Sequence, residues 1–83
     1  MSFYVYMLKC ITCTHKKTYV GYTSDLNRRL HLHNNNKGAK FTKGNSWILI
    51  FKKKFSTKSK ALSYEYKLKH DRKLRLDIYN KFK

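Results

Sequence analysis

The chain has 83 residues, enough for one domain over residues 1–83 and too few for a second, so its core must be small and tightly packed or helped by a metal or a partner. Its 20 lysines and arginines stand against 4 acidic residues, a formal net charge of +16, and that self-repulsion points to a polyanionic partner, nucleic acid ahead of a membrane surface. Hydrophobic residues form 41% of the chain and aromatics 16%, which excludes a disordered basic tail, and no stretch approaches the roughly 20 apolar residues of a membrane-spanning helix.

The opening Met1-Ser2-Phe3-Tyr4 shows no basic segment leading into a long apolar one and no Met-Gly lipidation signal, so an intracellular protein is expected, cytoplasmic or nucleoid-associated. Phe3 to Lys9 alternates as a strand, with Tyr4, Tyr6 and Leu8 on one face and Phe3, Val5 and Met7 on the other. Both faces are apolar, as in a central strand. Cys10 and Cys13 form a lone Cys-x-x-Cys without the second pair a zinc finger needs, and ordinary reduced cysteines are expected ahead of structural zinc or a redox role. A polar connection, Ile11 to Lys17, returns the chain through Thr18-Tyr19-Val20-Gly21 in an antiparallel hairpin that brings Tyr6 near Tyr19.

After Gly21 the strand turns into a helix expected over Asp25 to Asn35, with Ser24 as its cap, Asp25 beside the positive end of the dipole, and Gly38 supplying the left-handed residue at its end. At about 100° per residue, Leu26, Arg29, Leu30 and His33 share one face while Arg28 and His31 fall opposite. Arg29 is thus the inward arginine, and its fork of donors suits either a structural ion pair or an anion. Lys37, Lys40 and Lys43 then recur in a polar stretch that reads as a solvated loop or as a clamp for phosphates.

Trp47-Ile48-Leu49-Ile50-Phe51 is a buried strand by its length and its branched and aromatic content, and it completes a three-stranded sheet; Lys52, Lys53 and Lys54 follow as its solvated end and add to the basic field. A second helix covers about Lys58 to His70 behind a Ser56-Thr57 cap, and a short third helix lies within Asp71 to Lys83. The fold class is α+β, a small three-stranded antiparallel sheet flanked by about three helices.

Glu65, the chain's single glutamate, falls on the buried side of the second helix and therefore requires a partner. That partner is Lys69 at i+4, Arg29 in a salt bridge, or one divalent cation whose other positions are filled by water and phosphate oxygens. In the last case Arg29 would neutralise the charge of a five-coordinate phosphorus. Tyr6, Tyr19 and His33 are the candidates to handle the proton of an attacking water, with a nearby cation favouring the phenolate. Core packing is the competing role of each tyrosine.

Tyr4-Val5-Tyr6 and Tyr19-Val20-Gly21 resemble the paired GIY and YIG elements of the GIY-YIG endonuclease superfamily. Arg29 stands ten positions after Tyr19, as that family's catalytic arginine does; His33 follows four later, and Glu65 matches the helix position of its metal-binding glutamate. The likeness spans nearly the whole chain, and Lys37-Gly38-Ala39-Lys40-Phe41-Thr42 is similar to a run in the small standalone branch. It implies one Mg or Mn ion on Glu65 and hydrolysis of DNA phosphodiesters, with Tyr19 as base or relay and Tyr6 supporting it. The first element departs from the pattern, reading Tyr-Val-Tyr where the family has Gly-Ile-Tyr, and neither Asp77 nor Asn80 is assigned to the family's late asparagine.

The expected function is accordingly a metal-dependent DNA endonuclease or nickase with little sequence preference of its own, a monomer or weak dimer, with Lys37, Lys40, Lys43, Lys52 and Lys53 contacting the nucleic acid. The alternative is a non-catalytic module that binds DNA or RNA with the same surface.

Overall fold

A strand with two apolar faces is satisfied only in the middle of a sheet that is covered on both sides. In the computed structural model, which describes residues 2–82, β1 (Phe3–Cys10) lies between β2 (Thr18–Thr23) and β3 (Trp47–Phe55), antiparallel to both, in the order β2-β1-β3. Among the described residues the architecture is α+β, this sheet with three helices: α1 (Leu26–Asn34), α2 (Lys58–His70) and α3 (Arg72–Lys81). A single 3-10 turn, Lys40–Thr42, interrupts the connection between α1 and β3. Met1 and Lys83, the ends of the first and last expected segments, lie outside the described residues.

The two faces of β1 nucleate two cores. Val5 and Met7 pack with Val20, Ala61 and Leu68 beneath α2, where Tyr64, Leu74 and Ile78 close the edges. Tyr6, Leu8 and Cys10 pack on the other side with Trp47, under Leu26 and Leu30 of α1. Strand β3 runs four residues beyond the apolar run, so Lys52, Lys53 and Lys54 are ladder residues whose side chains are exposed, as expected of a solvated strand end. Lys52 pairs with Tyr6 and Lys53 with Val5, and between Met7 and Leu8 the register shifts by one residue. The bulge leaves Ile50 without an opposite number on β1.

Helix caps correct two expectations. Asp25, not Ser24, is the N-cap of α1: its backbone is extended and its carboxylate accepts the Arg28 N–H at 3.1 Å, while the Thr23 hydroxyl accepts the Asp25 N–H at 3.0 Å. A charged acceptor at the positive end of the helix outcompetes a hydroxyl one residue earlier. At the other end Asn36, with φ 62°, takes the left-handed conformation expected of Gly38. Thr57 caps α2 by accepting the Lys60 N–H at 3.2 Å, and Asp71 caps α3 by accepting the Leu74 N–H at 3.0 Å.

Cys10 and Cys13, expected to be reduced, are joined by a disulfide. The chain doubles back directly after β1: the Cys10 N–H donates to the Lys17 carbonyl at 3.0 Å and the Ile11 N–H to the Ser46 carbonyl at 2.9 Å. That fold brings the two Cα atoms to 5.7 Å, within the range a disulfide spans.

Candidate active site

Register places the two tyrosines. Tyr6 pairs with Gly21 and Leu8 with Tyr19, so the phenols are diagonal neighbours on one face of the sheet, with ring centroids 6.3 Å apart. Gly21 is required by this approach: a Cβ there would lie 2.5 Å from the Tyr6 hydroxyl oxygen and 3.1 Å from the Tyr19 ring. The Tyr6 ring crosses the backbone where a side chain would stand.

His33, projected by the last turn of α1, is 1% exposed and engages both ring nitrogens. Its Nε2 is 2.9 Å from the Tyr6 hydroxyl and its Nδ1 is 2.8 Å from the Thr42 hydroxyl. Hydrogen positions follow by elimination. Thr42 donates its one hydroxyl proton to the Ala39 carbonyl at 2.9 Å, so toward His33 it accepts, and Nδ1 carries the hydrogen. Burial, with Arg29 nearby, pushes the His33 pKa below its ordinary value, so the neutral ring offers the Nε2 lone pair to the Tyr6 O–H. Tyr6 therefore donates to His33, and at 2% exposure its hydroxyl is held beneath the surface beside Gly21.

Thr42 was hidden in a stretch that reads as solvated loop, yet it is fully buried. The 3-10 turn tucks it under α1, and the Trp47 indole N–H donates to its carbonyl at 3.0 Å. Gly38 lets the turn close on the histidine, since a Cβ there would sit 2.4 Å from His33 Nδ1. Phe41, noted in the sequence only as part of the run over residues 37–42 and given no role there, is 54% exposed and stacks on Tyr19 at 6.3 Å between centroids. A lone polar residue and a lone aromatic carry no periodic signal; only the tightness of a three-residue turn gives them their places.

Tyr19 is half-buried, and none of the hydrogen bonds among the described residues uses its hydroxyl. Burial and then Glu65 raise its pKa, against a lowering by Arg29; Tyr6 is likewise raised, chiefly by burial. The expectation of a cation-favoured phenolate is thus reversed, because desolvation outweighs Arg29. Both phenols nonetheless lie within electrostatic reach of one guanidinium from α1 and one carboxylate from α2.

Arg29, expected to face inward, is exposed. It lies at the rim of the α1 stripe, in a hollow of about 280 Å³ shared with Tyr22, Thr23, Ser24 and Lys58. The Glu65 side chain is 15% exposed and pairs with Lys69 Nζ at 3.6 Å; among the described residues no ion pair joins it to Arg29. A second hollow, of about 320 Å³, is lined by Tyr19, Phe41, Lys69 and Arg75. Both hollows follow β2, an edge strand of the sheet.

Of the lysines singled out for nucleic acid, Lys37, Lys40 and Lys43 are exposed around the turn that carries Phe41. Lys52 is on the Tyr6 face of the sheet. Lys53 is on the opposite face, its ammonium 4.8 Å from the centre of the Tyr64 ring, and does not join the others. Among the described residues no group of three or more His, Cys, Asp or Glu side chains converges to hold a metal, and no helix is long and apolar enough to cross a membrane.

Comparison with known proteins places this geometry. A family model described as the GIY-YIG catalytic domain matches residues 2–80. The chain is 42% identical over 67 residues to UPF0213 protein OB0043 of Oceanobacillus iheyensis, covering 80% of this chain and 74% of that one. It is 40% identical over 70 residues to UPF0213 protein YazA of Bacillus subtilis, covering 83% and 71% respectively. The solution NMR structure of UPF0213 protein BH0048 from Bacillus halodurans, 35% identical, matches with a TM-score of 0.56 over 96% of this chain and 84% of that one. The names of these relatives state no activity.

Proposed function

The chain belongs to the GIY-YIG family, a nuclease superfamily, and from that premise we propose that it hydrolyses phosphodiester bonds in DNA as a metal-dependent endonuclease or nickase with little sequence preference. The observation that carries the reading is the Tyr6–His33–Thr42 chain set beside Tyr19, with Arg29 and Glu65 both acting on the phenols. A core that needed these tyrosines only for packing would have no use for a buried, doubly hydrogen-bonded histidine behind one of them.

The donor chemistry fits a metal in one form only. Among the described residues no cage made wholly of protein ligands is available, but Glu65, partly exposed and there paired only with Lys69, suits a hydrated Mg or Mn ion that keeps water and phosphate oxygens as its other ligands. When bound, such an ion would supply Lewis-acid stabilisation of the leaving oxygen.

The remaining roles fall to the chain's own residues. Tyr6, 2% exposed and with its proton committed to His33, supports Tyr19 by fixing the packing of the ring beside it. Tyr19 takes the water proton as its own hydroxyl proton passes to a phosphate oxygen or to solvent, and as the water oxygen bonds to phosphorus the P–O bond to the leaving sugar oxygen breaks and that oxygen takes a proton from solvent. The Arg29 guanidinium neutralises charge that builds on the phosphorus oxygens. His33 is a positioning residue, since both of its nitrogens are occupied and it is sealed from water.

The test is incubation of the purified protein with single-stranded, duplex and branched DNA in Mg or Mn. Tyr19→Phe, Arg29→Ala and Glu65→Gln should each cut at least about a hundredfold more slowly while folding normally. Equal cutting by Glu65→Gln would trace the activity to a contaminant, and binding without cutting by the parent protein in any metal would favour the non-catalytic module.

A further inference from the structure

We propose that the nucleic-acid strand leaves the cleavage centre over the start of β2 and sets a phosphate in a third hollow, built by Lys16, Arg72 and Arg75 around Tyr79. The position of that subsite relative to a cut bond rests on the nuclease reading; its affinity for phosphodiester backbone does not.

The hollow measures about 210 Å³, with Met7 at its floor and no carboxylate in its lining. Three cations converge there in a chain already carrying a net charge of +16, an arrangement that costs energy until an anion enters. The neighbouring acids are committed elsewhere: the Asp71 carboxylate caps α3, and Asp77 pairs with Lys81 at 3.2 Å.

The cations are also held in place. Arg75 Nη1 donates to the Leu68 carbonyl at 2.8 Å and to the Lys69 carbonyl, which pins the guanidinium at the C-terminal end of α2. Among the described residues its other donors make no hydrogen bond, and a fixed fork of free donors matches phosphate oxygens. Lys16 Nζ stands 5.3 Å over the Tyr79 ring, and Lys9 Nζ stands 4.9 Å from the same ring. The aromatic ring holds the Lys16 ammonium in the lining of the hollow, and Lys9 brings a further positive charge to the same ring.

Continuity selects a polymer over a free anion. Thr18 and Arg75 line both this hollow and the one containing Tyr19, Phe41 and Lys69. A backbone lying against Tyr19 therefore meets Arg75 next and then the Lys16–Arg72 pair. Spacing along the chain hides this. Lys16 belongs to the first connection and Arg72 to the last helix, and only the edge position of β2 brings them together.

The experiment measures binding of a fluorescein-labelled single-stranded DNA 20-mer to the full chain by anisotropy in EDTA across a salt series. The double variant Lys16→Gln/Arg72→Gln is compared with Lys60→Gln/Lys67→Gln, an equal loss of charge at exposed positions of α2. The subsite predicts an affinity loss of about fivefold at 0.1 M salt for the first pair and a salt slope shallower by about 0.7, the value for one lost phosphate contact on a single strand, with little change for the second. Lys16→Gln alone, a substitution in an exposed connection that leaves the helices untouched, should give about half that change in slope.

Equal losses for the two double variants would overturn the subsite and reduce its residues to part of a general basic field; absence of any binding by the parent would overturn it outright. Cutting by the parent protein is scored separately in Mg. A parent that binds and never cuts removes the nuclease reading and leaves the subsite to the salt slopes, whereas a parent that cuts while both variants bind alike removes the subsite only.

Discussion

Two glycines and a threonine decide whether the tyrosines form a site or merely a core. Gly38→Ala would drive a methyl group against His33 Nδ1, and the buried ring has no room to yield. Overpacking of that kind costs about 1–3 kcal/mol. At roughly 4–8 °C per kcal/mol for a domain of this size, a thermal melt should show a fall of several degrees or more. Thr42→Val keeps the shape and removes the acceptor for Nδ1–H, leaving a buried donor unpaired at a cost of about 1–3 kcal/mol. DNA cutting should fall in both variants, as Tyr6 loses its fixed partner.

The same histidine gives a pH signature. Its folded pKa lies below the ordinary value of about 6.5 through burial and Arg29, so near and below that pH the unfolded chain binds the proton more readily. Stability from this group is complete above about pH 6.5 and declines as the pH falls toward the folded pKa, where the loss levels off. Melting temperatures taken from pH 7.5 to 5 should decline in the parent and be flatter in His33→Gln over that window.

Residues with a fixed separation were legible in the sequence; those placed by close packing were not. Tyr6, Tyr19 and Glu65 are located by a hairpin and a helix face, and both follow from periodicity. Thr42 and Phe41 depend on how a short turn closes under α1, and Arg75 on how α3 folds back across the end of α2, neither of which leaves a pattern in the chain.

At the level of elements, β1 as the central strand, its hairpin with β2 and the extent of α2 follow directly from alternation, connection length and capping. The errors lie at ends, where neighbouring polar residues compete for one role. Ser24 and Asp25 are both good caps, and the carboxylate holds the position. Asp25→Ala should cost about 1 kcal/mol and Ser24→Ala little, a contrast readable by denaturant unfolding of the two variants. A larger loss from Ser24→Ala would reverse the assignment. The disulfide was missed for a related reason: Cys-x-x-Cys spacing alone does not show that the chain doubles back to the turn before β3.

Across the whole molecule, charge and topology act together. The sheet places β2 at an edge, α1 brings Arg29 to one end of that edge, α2 brings Lys69 along it with Glu65 paired to that lysine, and α3 brings Arg75 to the other end. A small domain can therefore present a run of cations along this edge.

The central claim is that Tyr19, Arg29 and Glu65 form one site with room for a divalent cation. Its most direct test is paramagnetic broadening in the NMR spectrum of the isotope-labelled protein as Mn²⁺ is added in substoichiometric steps. The account predicts that signals of Glu65, Tyr19 and Arg29 broaden first in the parent and remain sharp in Glu65→Gln. Broadening that begins at Asp25 or Asp77, or that is unaffected by Glu65→Gln, would contradict it.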